Sequence, residues 1–208
     1  DDSLYGEEGN DTLNSGEGSD ILVGGIGNDK LNGGAGDDIY IFNKGDGQDI
    51  INDEKDYDAN IKYYYNAGND TLRFGKDITK EDILMKQEGS NVIVGIKEEG
   101  KTFEELSDKI TLTNWMNKNA RIENFEFVGG TKLGIQEILK LFGTFEDNTF
   151  GWTESILEAS FEQGNDKVIT GNYNDVIHLG SGDDEVSSQG GDDSLYGEEG
   201  NDTLNSGE

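Results

Sequence analysis

The chain has 208 residues, of which 45 are Asp or Glu and 16 are Lys or Arg, so its formal net charge is −29 at pH 7. This charge excludes a nucleic acid as the partner, because the phosphates would be repelled. The absence of cysteine excludes disulfides and thiolate metal sites, and no apolar run is long enough to predict a membrane span.

The chain opens with an aspartate repeat of nine residues, and the same repeat returns near its end. A large apolar residue stands two positions after each aspartate, and a glycine stands two positions before most of them. Residues 24–32, GGIGNDKLN, are the clearest copy. A flexible Gly/Asp-rich linker has no reason to keep these residue types in phase. The repeat aspartates are Asp2, Asp11, Asp20, Asp29, Asp38, Asp166, Asp175, Asp184, Asp193 and Asp202.

The pattern G-G-x-G-x-D-x-U-x resembles the calcium-binding nonapeptide of RTX proteins. The resemblance implies a parallel β-roll with two nonapeptides in each turn, so that residues 18 apart lie on adjacent turns at the strand spacing of about 4.8 Å. Carboxylates stacked so closely repel each other unless a cation lies between them. We therefore expect several Ca²⁺ ions, and we expect their binding to be part of the folding free energy.

The expected ligands follow from the needs of the ion. Ca²⁺ takes about 6–8 oxygen atoms, which are more than one loop supplies, and glycines let the loop turn tightly enough to direct its carbonyls inward. Each site should then combine repeat aspartates with the residues five and three positions before them. These residues are Gly6, Glu8, Ser15, Glu17, Gly24, Ile26, Gly33, Ala35, Thr170, Asn172, Leu179, Ser181, Ser188, Gly190, Gly197 and Glu199.

The repeat loses its phase after Asp38. Asp49 follows 11 residues later, within the sequence GDGQDII at residues 45–51. This segment resembles the terminating repeat of RTX blocks, and Asp49 is a further expected ligand.

The middle of the chain has a different composition. Residues 52–62 are charged and without a period, which is typical of a linker. Residues 69–74, NDTLRF, resemble one more RTX strand, residues 91–96, 109–113 and 121–128 have strand character, and residues 134–142 have the apolar spacing of a short helix. The order of these segments is similar to the haemolysin-type calcium-binding-related domain, which implies a small β-rich module that caps the roll.

The aromatic residues of this module allow two interpretations. Tyr63, Tyr64, Tyr65 and Trp115 could form a surface on which a carbohydrate stacks, or they could belong to the module's core. We favour the core, since buried aromatic residues are ordinary. No catalytic residues are expected, because the many carboxylates are already explained by the repeat and no nucleophile motif stands near His178.

A longer repeat is superimposed on the short one. Residues 1–17 and 192–208 are identical, DDSLYGEEGNDTLNSGE, at an offset of 191 residues. A slice through a tandem array explains this identity, and a local duplication of one roll turn is the alternative. The array favours a structural role over a toxin repeat block, and it predicts that Glu208 is followed in the parent protein by Gly-Ser-Asp-Ile-Leu.

The sequence thus predicts an all-β fold in which two parallel β-roll segments flank a capping module. The expected boundaries are a closing half-roll at 1–51, a linker at 52–62, the module at 63–143, a connector at 144–160 and an opening half-roll at 161–208. The expected function is a non-enzymatic, calcium-binding repeat segment of a secreted or surface-attached protein, such as an adhesin or S-layer-like protein. Its partners would be calcium, neighbouring repeat units and a host-surface or carbohydrate ligand. The alternative is the repeat region of a cytolysin or exoenzyme whose active domain lies elsewhere.

Overall fold

The computed structural model describes residues 1–53, 57–58, 63–64, 68–144 and 146–207, with no account of the side chains at 57, 58, 63 and 64. Most of the expected linker, the tyrosines at 63–65 as side chains, and Glu208 therefore lie outside the described residues. The chain forms two compact units, one of Asp1–Ile83 with Glu88–Gly134 and one of Leu84–Gln87 with Ile135–Glu208. The predicted all-β class is confirmed, since both units consist mainly of parallel strands.

The first unit begins with a parallel roll whose successive strands alternate between two sheets. The odd-numbered strands β1, β3 and β5 are neighbours in one sheet, and the even-numbered strands β2, β4 and β6 are neighbours in the other. The strands are Ser3–Glu8 (β1), Thr12–Glu17 (β2), Ile21–Ile26 (β3), Lys30–Ala35 (β4), Ile39–Phe42 (β5) and Gln48–Ile51 (β6).

The register confirms that two nonapeptides make one turn. Leu4 pairs with Leu22, and Leu13 pairs with Leu31, each at a separation of 18 residues. After the loss of phase at Asp38, paired residues in adjacent turns are 20 positions apart and no longer 18, since Lys30 pairs with Ile50. Identical backbone positions therefore lie above one another through the roll, and so do the aspartates.

The apolar residue that follows each aspartate faces the interior between the two sheets. Leu22 is fully buried and Leu31 is 3% exposed, whereas Leu4 and Leu13 in the preceding turn are half-buried. The core of this roll thus becomes deeper along the chain, toward the module that follows.

The module continues both sheets of the roll. In one sheet β9 pairs in parallel with β5, and β13 and β14 follow it. In the other sheet β12 pairs in parallel with β6, and β11 pairs antiparallel with β12. The roll is therefore capped by strand addition, which covers edges that would otherwise be exposed. The strands of this part are Tyr57–Asp58 (β7), Tyr63–Tyr64 (β8), Thr71–Phe74 (β9), Ile83–Glu88 (β10), Asn91–Ile96 (β11), Lys109–Leu112 (β12), Asn124–Glu126 (β13) and Lys132–Leu133 (β14).

Trp115 belongs to the core of the module and not to a carbohydrate surface. Its side chain is fully buried, its Nε1–H donates to the carbonyl of Ile122 at 2.8 Å, and the Arg121 guanidinium lies 5.1 Å from its ring centroid. Phe74 packs edge-on against Phe125 at 5.5 Å. Of the two interpretations of the aromatic residues, Trp115 supports the core.

The second unit contains another roll, and its strands begin earlier than the aspartate phase indicates. The segment 144–160, which we expected to be a connector, contains β15 and β16, and these strands pair in parallel with β17 and β18. Phe150 and Ala159 pair with Val168 and Ile177 and occupy the buried position that the repeat gives to its apolar residue. Asn148 and Leu157 stand where the repeat has its aspartate, and their backbone N–H groups donate to Oδ1 of Asp166 and Asp175. The strands are Thr149–Trp152 (β15), Glu158–Ser160 (β16), Lys167–Thr170 (β17), Val176–His178 (β18), Glu185–Ser187 (β19), Ser194–Tyr196 (β20) and Thr203–Asn205 (β21).

Aromatic packing lies beside the first turn of this second roll. The helix Ile135–Leu139 (α1), within the predicted helical segment, precedes Phe142, whose ring centroid is 4.3 Å from that of Phe150. Val186 is fully buried, while Leu204 is 45% exposed, so the core is deepest near these rings. Among the described residues, no helix has the length and apolar character needed to cross a membrane.

Two glycines at equivalent positions in adjacent turns of the first roll differ in the space around them. Gly16 and Gly34 are neighbours in register and share a left-handed backbone, with φ values of 97° and 95°. An ideal Cβ on Gly34 would lie 2.3 Å from the Gly16 carbonyl oxygen, whereas one on Gly16 would meet nothing within 4 Å. We expect Gly16→Ala to cost about 1–2 kcal/mol from backbone strain alone and Gly34→Ala to cost clearly more.

Thermal unfolding of both variants in saturating calcium measures the difference. The two substitutions share the same strain, so Gly16→Ala is the control for the clash. Equal shifts in the melting temperature would contradict the predicted close approach of adjacent turns.

Candidate calcium-binding loops

The repeat aspartates form a hydrogen-bonded ladder along each edge of the rolls. The backbone N–H of Asp20 donates to Oδ1 of Asp38 at 2.8 Å, and that of Asp11 donates to Oδ1 of Asp29 at 2.8 Å. In the second roll, the N–H of Asp166 donates to Oδ1 of Asp184 at 2.7 Å. Oδ1 of each of these later aspartates therefore accepts a hydrogen bond from the backbone of the preceding turn.

The ladder continues past the regular repeat. The N–H of Asp29 donates to Oδ1 of Asp49 at 2.9 Å, which places Asp49 in the ladder despite the loss of phase. The N–H of Asp38 donates to Oδ1 of Asp70 at 2.8 Å across 32 residues. Asp70 was not among the expected ligands, although its context, GNDTL at residues 68–72, matches GNDTL at residues 9–13 and could have identified it.

The second carboxylate oxygen, Oδ2, is buried and has no hydrogen-bond partner in most of these residues. A buried anionic oxygen without a partner costs several kcal/mol, and a bound cation removes this cost. The arrangement therefore fits a hard divalent ion that prefers carboxylate oxygen. The aspartates whose Oδ2 is buried in this way are Asp11, Asp20, Asp29, Asp38, Asp70, Asp166, Asp175, Asp184 and Asp193.

The residue five positions before an aspartate lies directly against that oxygen. An ideal Cβ on Gly24 would lie 2.4 Å from Oδ2 of Asp29, and one on Gly197 would lie 2.3 Å from Oδ2 of Asp202. Glycine therefore leaves the room that the carboxylate needs. Where Thr170 takes this position before Asp175, its hydroxyl is also buried without a hydrogen-bond partner and offers another oxygen.

The expected carbonyl ligands three positions before the aspartates take part in the strand ladder. The carbonyl of Ile26 accepts the N–H of Gly9 at 2.9 Å, and that of Ala35 accepts the N–H of Gly18 at 2.8 Å. The carbonyls of Ser181 and Glu199 accept equivalent bonds. A carbonyl oxygen has two lone pairs, so each retains one for an ion.

The other expected ligands differ in their exposure. Glu8 and Glu17 are exposed, Asn172 is exposed and Leu179 is a core side chain, so these residues offer only their backbone oxygens to a buried ion. Ser15 donates its hydroxyl to the Gly33 carbonyl at 2.9 Å, and Ser188 is buried. The remaining positions, Gly6 and Gly190, lie in loops of the same kind. The assignment of individual ligands stays a prediction.

An outer ladder, which the spacing alone did not indicate, lies beside the aspartate ladder. Oδ1 of Asn10 accepts the N–H of Asn28 at 2.9 Å, and Oδ1 of Asp183 accepts the N–H of Asn201 at 2.9 Å. Here the earlier turn accepts and the later turn donates, opposite to the repeat aspartates. The Asn or Asp that precedes each repeat aspartate therefore has a structural role that requires a short polar side chain.

Burial changes the proton affinity of the ladder carboxylates. It raises the pKa of Asp38 and Asp49 to about 7 and that of Asp166 to about 6. Burial next to the Asp53 carboxyl raises the pKa of Asp70 to about 10. Without a cation, these groups hold protons at pH values at which exposed aspartates have lost them.

Family models match the segments in which these ladders lie. The model described as the RTX calcium-binding nonapeptide repeat matches residues 1–22, 14–51, 162–195 and 182–208. Both rolls therefore consist of RTX calcium-binding nonapeptide repeats. The model of the haemolysin-type calcium binding protein related domain matches residues 91–137, within the expected module. None of the curated proteins matches the chain.

These repeats bind Ca²⁺, so the rolls are a calcium-binding structural repeat region. The ladder explains the physical need for the ion, because most of the loops bury an anionic oxygen without a hydrogen-bond partner.

Asp29→Ala should lower calcium affinity about tenfold or more, because it removes a buried charged oxygen whose contribution is roughly 1.5–3 kcal/mol. Glu8→Ala removes the same formal charge from an exposed side chain and is the control. Calorimetric titration of both variants with calcium measures the difference. Equal losses would mean that bulk charge binds the ions and that defined loops do not.

The raised pKa values predict how pH acts on the calcium-free chain. Burial holds the pKa of Asp38 and Asp49 at about 7 in the folded chain, above the ordinary aspartate pKa of 3.8, so the folded state binds more protons between these values. Its stability without calcium therefore falls as pH rises through this window. Circular dichroism in calcium-free buffer should show more β structure at about pH 5.5 than at about pH 7.5, and added calcium should restore it at the higher pH.

The lower pH of this comparison stays above the isoelectric point of about 4.1, which limits precipitation. More structure at the higher pH without calcium would show that the buried carboxylates do not oppose folding.

Proposed function

We propose that this RTX chain is a calcium-stiffened structural segment of a large secreted or surface-attached protein, such as an adhesin or an S-layer-like protein. It folds when it meets calcium outside the cell. The observation that supports this role most directly is the repeated burial of aspartate Oδ2 atoms without a hydrogen-bond partner. Each such atom opposes folding until an ion binds, so the ions and the fold depend on each other.

Folding that depends on calcium suits a protein that is exported from the cell before it folds. A chain that carries a charge of −29 and lacks calcium resists compaction, and an unfolded chain can be threaded through a narrow secretion channel. Calcium in the medium then folds the segment after its exit and opposes its return. Type I secretion, which the family resemblance implies, suits this order of events.

The tandem array rests on the exact duplication of residues 1–17 at 192–208. Both copies form roll strands at equivalent positions, with Leu4 in β1 and Leu195 in β20, and with Leu13 in β2 and Leu204 in β21. These leucines are all less buried than their counterparts deeper in each roll. A neighbouring unit that continues the strand ladder would complete their burial.

A second candidate is the repeat region of a cytolysin or exoenzyme whose active domain lies elsewhere. The duplication favours the array, because a repeat block that serves a toxin has no need to be copied with its capping module. The burial of Trp115 removes one residue from the carbohydrate surface considered above, so we do not include a carbohydrate ligand in the proposal.

Small-angle scattering of a protein with two consecutive units, with and without calcium, tests the proposal. We expect an expanded chain without calcium and a rigid, elongated particle with it, whereas Mg²⁺ should substitute poorly because it requires tighter octahedral geometry. The parent gene provides a separate test, since Glu208 should be followed by Gly-Ser-Asp-Ile-Leu. A different continuation would remove the array, and full β structure without calcium would remove calcium-dependent folding.

A further inference from the structure

Asp53 occupies a loop position that the nonapeptide pattern reserves for a small residue. The pairing of Lys30 with Ile50 and of Leu31 with Ile51 places Asp53 one turn beyond Gly33. An ideal Cβ on Gly33 would lie 2.2 Å from Oδ2 of Asp38. A side chain at this position therefore points toward the ladder carboxylates.

Tyr40 holds the Asp53 carboxylate in place. The Tyr40 hydroxyl donates a hydrogen bond to Oδ1 of Asp53 and accepts one from the N–H of Gly33 at 2.7 Å. Both Tyr40 and Asp53 are buried, with exposures of 0% and 1%. The orientation of Asp53 is thus fixed by a side chain that comes from the opposite sheet.

Three carboxylates meet as a result. Asp38, Asp53 and Asp70 each offer one oxygen, and these oxygens lie within 4.8 Å of one another. The ladder alone places Asp38 beside Asp70 in the next turn, and Asp53 adds a third carboxylate from the side. Among the described residues this is the one group of three metal-ligating side chains that lies so close together.

The group requires a positive charge that the surrounding side chains do not supply. Oδ2 of Asp38 and Oδ2 of Asp70 are buried without a hydrogen-bond partner, and both residues are at most 1% exposed. The charged groups that act most strongly on them are other carboxylates, including Asp20 and Glu123. Oxygens that share one Ca²⁺, at about 2.3–2.6 Å from the ion, lie within roughly 5 Å of each other, as these oxygens do.

We propose that Asp38, Asp53 and Asp70 hold a Ca²⁺ ion at the end of the first roll, in a site to which Asp53 adds a carboxylate that the nonapeptide pattern does not supply. Asp38 precedes β5, Asp70 precedes β9 and Asp53 follows β6, so the ion joins both sheets where the step between paired strands lengthens from 18 to 32 residues. The site rests on the calcium-dependent folding proposed above but not on the array. It explains why an aspartate stands where the repeat has glycine.

Asp53→Asn in the full chain tests the site, because it removes the charge and keeps the size of the side chain and an acceptor for Tyr40. Equilibrium dialysis with radioactive calcium counts the bound ions, and calorimetry gives their affinities. We expect one ion fewer, or one site weakened at least tenfold. The remaining sites should be unchanged, and circular dichroism in calcium should still show the rolls.

Asp37→Asn is the matched control. Asp37 is exposed in the same loop, and its Oδ1 accepts the N–H of Asn69 at 2.9 Å, a bond that asparagine also makes. This variant loses the same formal charge beside Asp38 and should keep every ion. An equal effect of both variants would show that charge density, and not a site, is responsible.

An Asp53→Asn variant that binds the same number of ions with unchanged affinity overturns the proposal, even while calcium still folds the rolls and the proposed function stands. Failure of the wild-type chain to bind calcium would instead overturn the proposed function. If Asp53→Asn does not fold, Asp53→Gly replaces it, since Gly33 shows that the roll accepts glycine there.

A measurement that leaves the carboxylates intact covers the case in which neither variant folds. Terbium bound in place of calcium is excited through nearby aromatic rings, and Tyr40 lies against the proposed site. Tyr40→Phe should therefore lower the terbium emission of the full chain. Emission equal to that of the wild-type chain overturns the site.

Discussion

The burial of a charged oxygen in most of the loops is the constraint on which the rest of this structure depends. In these loops a repeat aspartate such as Asp38 uses Oδ1 to bind the backbone of the turn before it, at Asp20, and leaves Oδ2 inside the loop. The apolar core of a roll is a thin layer of one side chain per nonapeptide, which is too little to offset the chain entropy and the repulsion between carboxylates. The ion is therefore a structural component of the roll in the same sense as its leucines.

The two ladders of each roll have opposite directions, so adjacent turns are fixed reciprocally. Asp29 binds the N–H of the earlier turn, whereas Asn10 binds the N–H of the later turn. Both contacts persist where the step lengthens to 20 residues, from Asp29 to Asp49 and from Asn28 to Gln48. The roll therefore keeps its aspartates above one another even where the nonapeptide phase changes.

Much of the fold could be predicted from the sequence because the repeat encodes it redundantly. The RTX resemblance, which the spacing of aspartates and apolar residues carries, implied the parallel register, and the NDTLRF segment at residues 69–74 indicated β9. The strands β15 and β16 could not be predicted, because Phe150 and Ala159 keep the buried position of the repeat without its aspartate. Asp53 was missed for a different reason: its role depends on which loop lies beside it in space, and the change of register at Asp49 hides that relation from a search along the chain.

The burial of the apolar residues changes along each roll, so the turns of a roll differ in local stability. In the first roll burial increases from Leu4 to Leu22, and in the second it decreases from Val186 to Leu204. Amide hydrogens in the shallow turns should therefore exchange with solvent before those in the deep turns when the segment is studied alone. In a tandem array the neighbouring unit would cover these turns, so joining units would slow that exchange and couple the stability of one roll to the next.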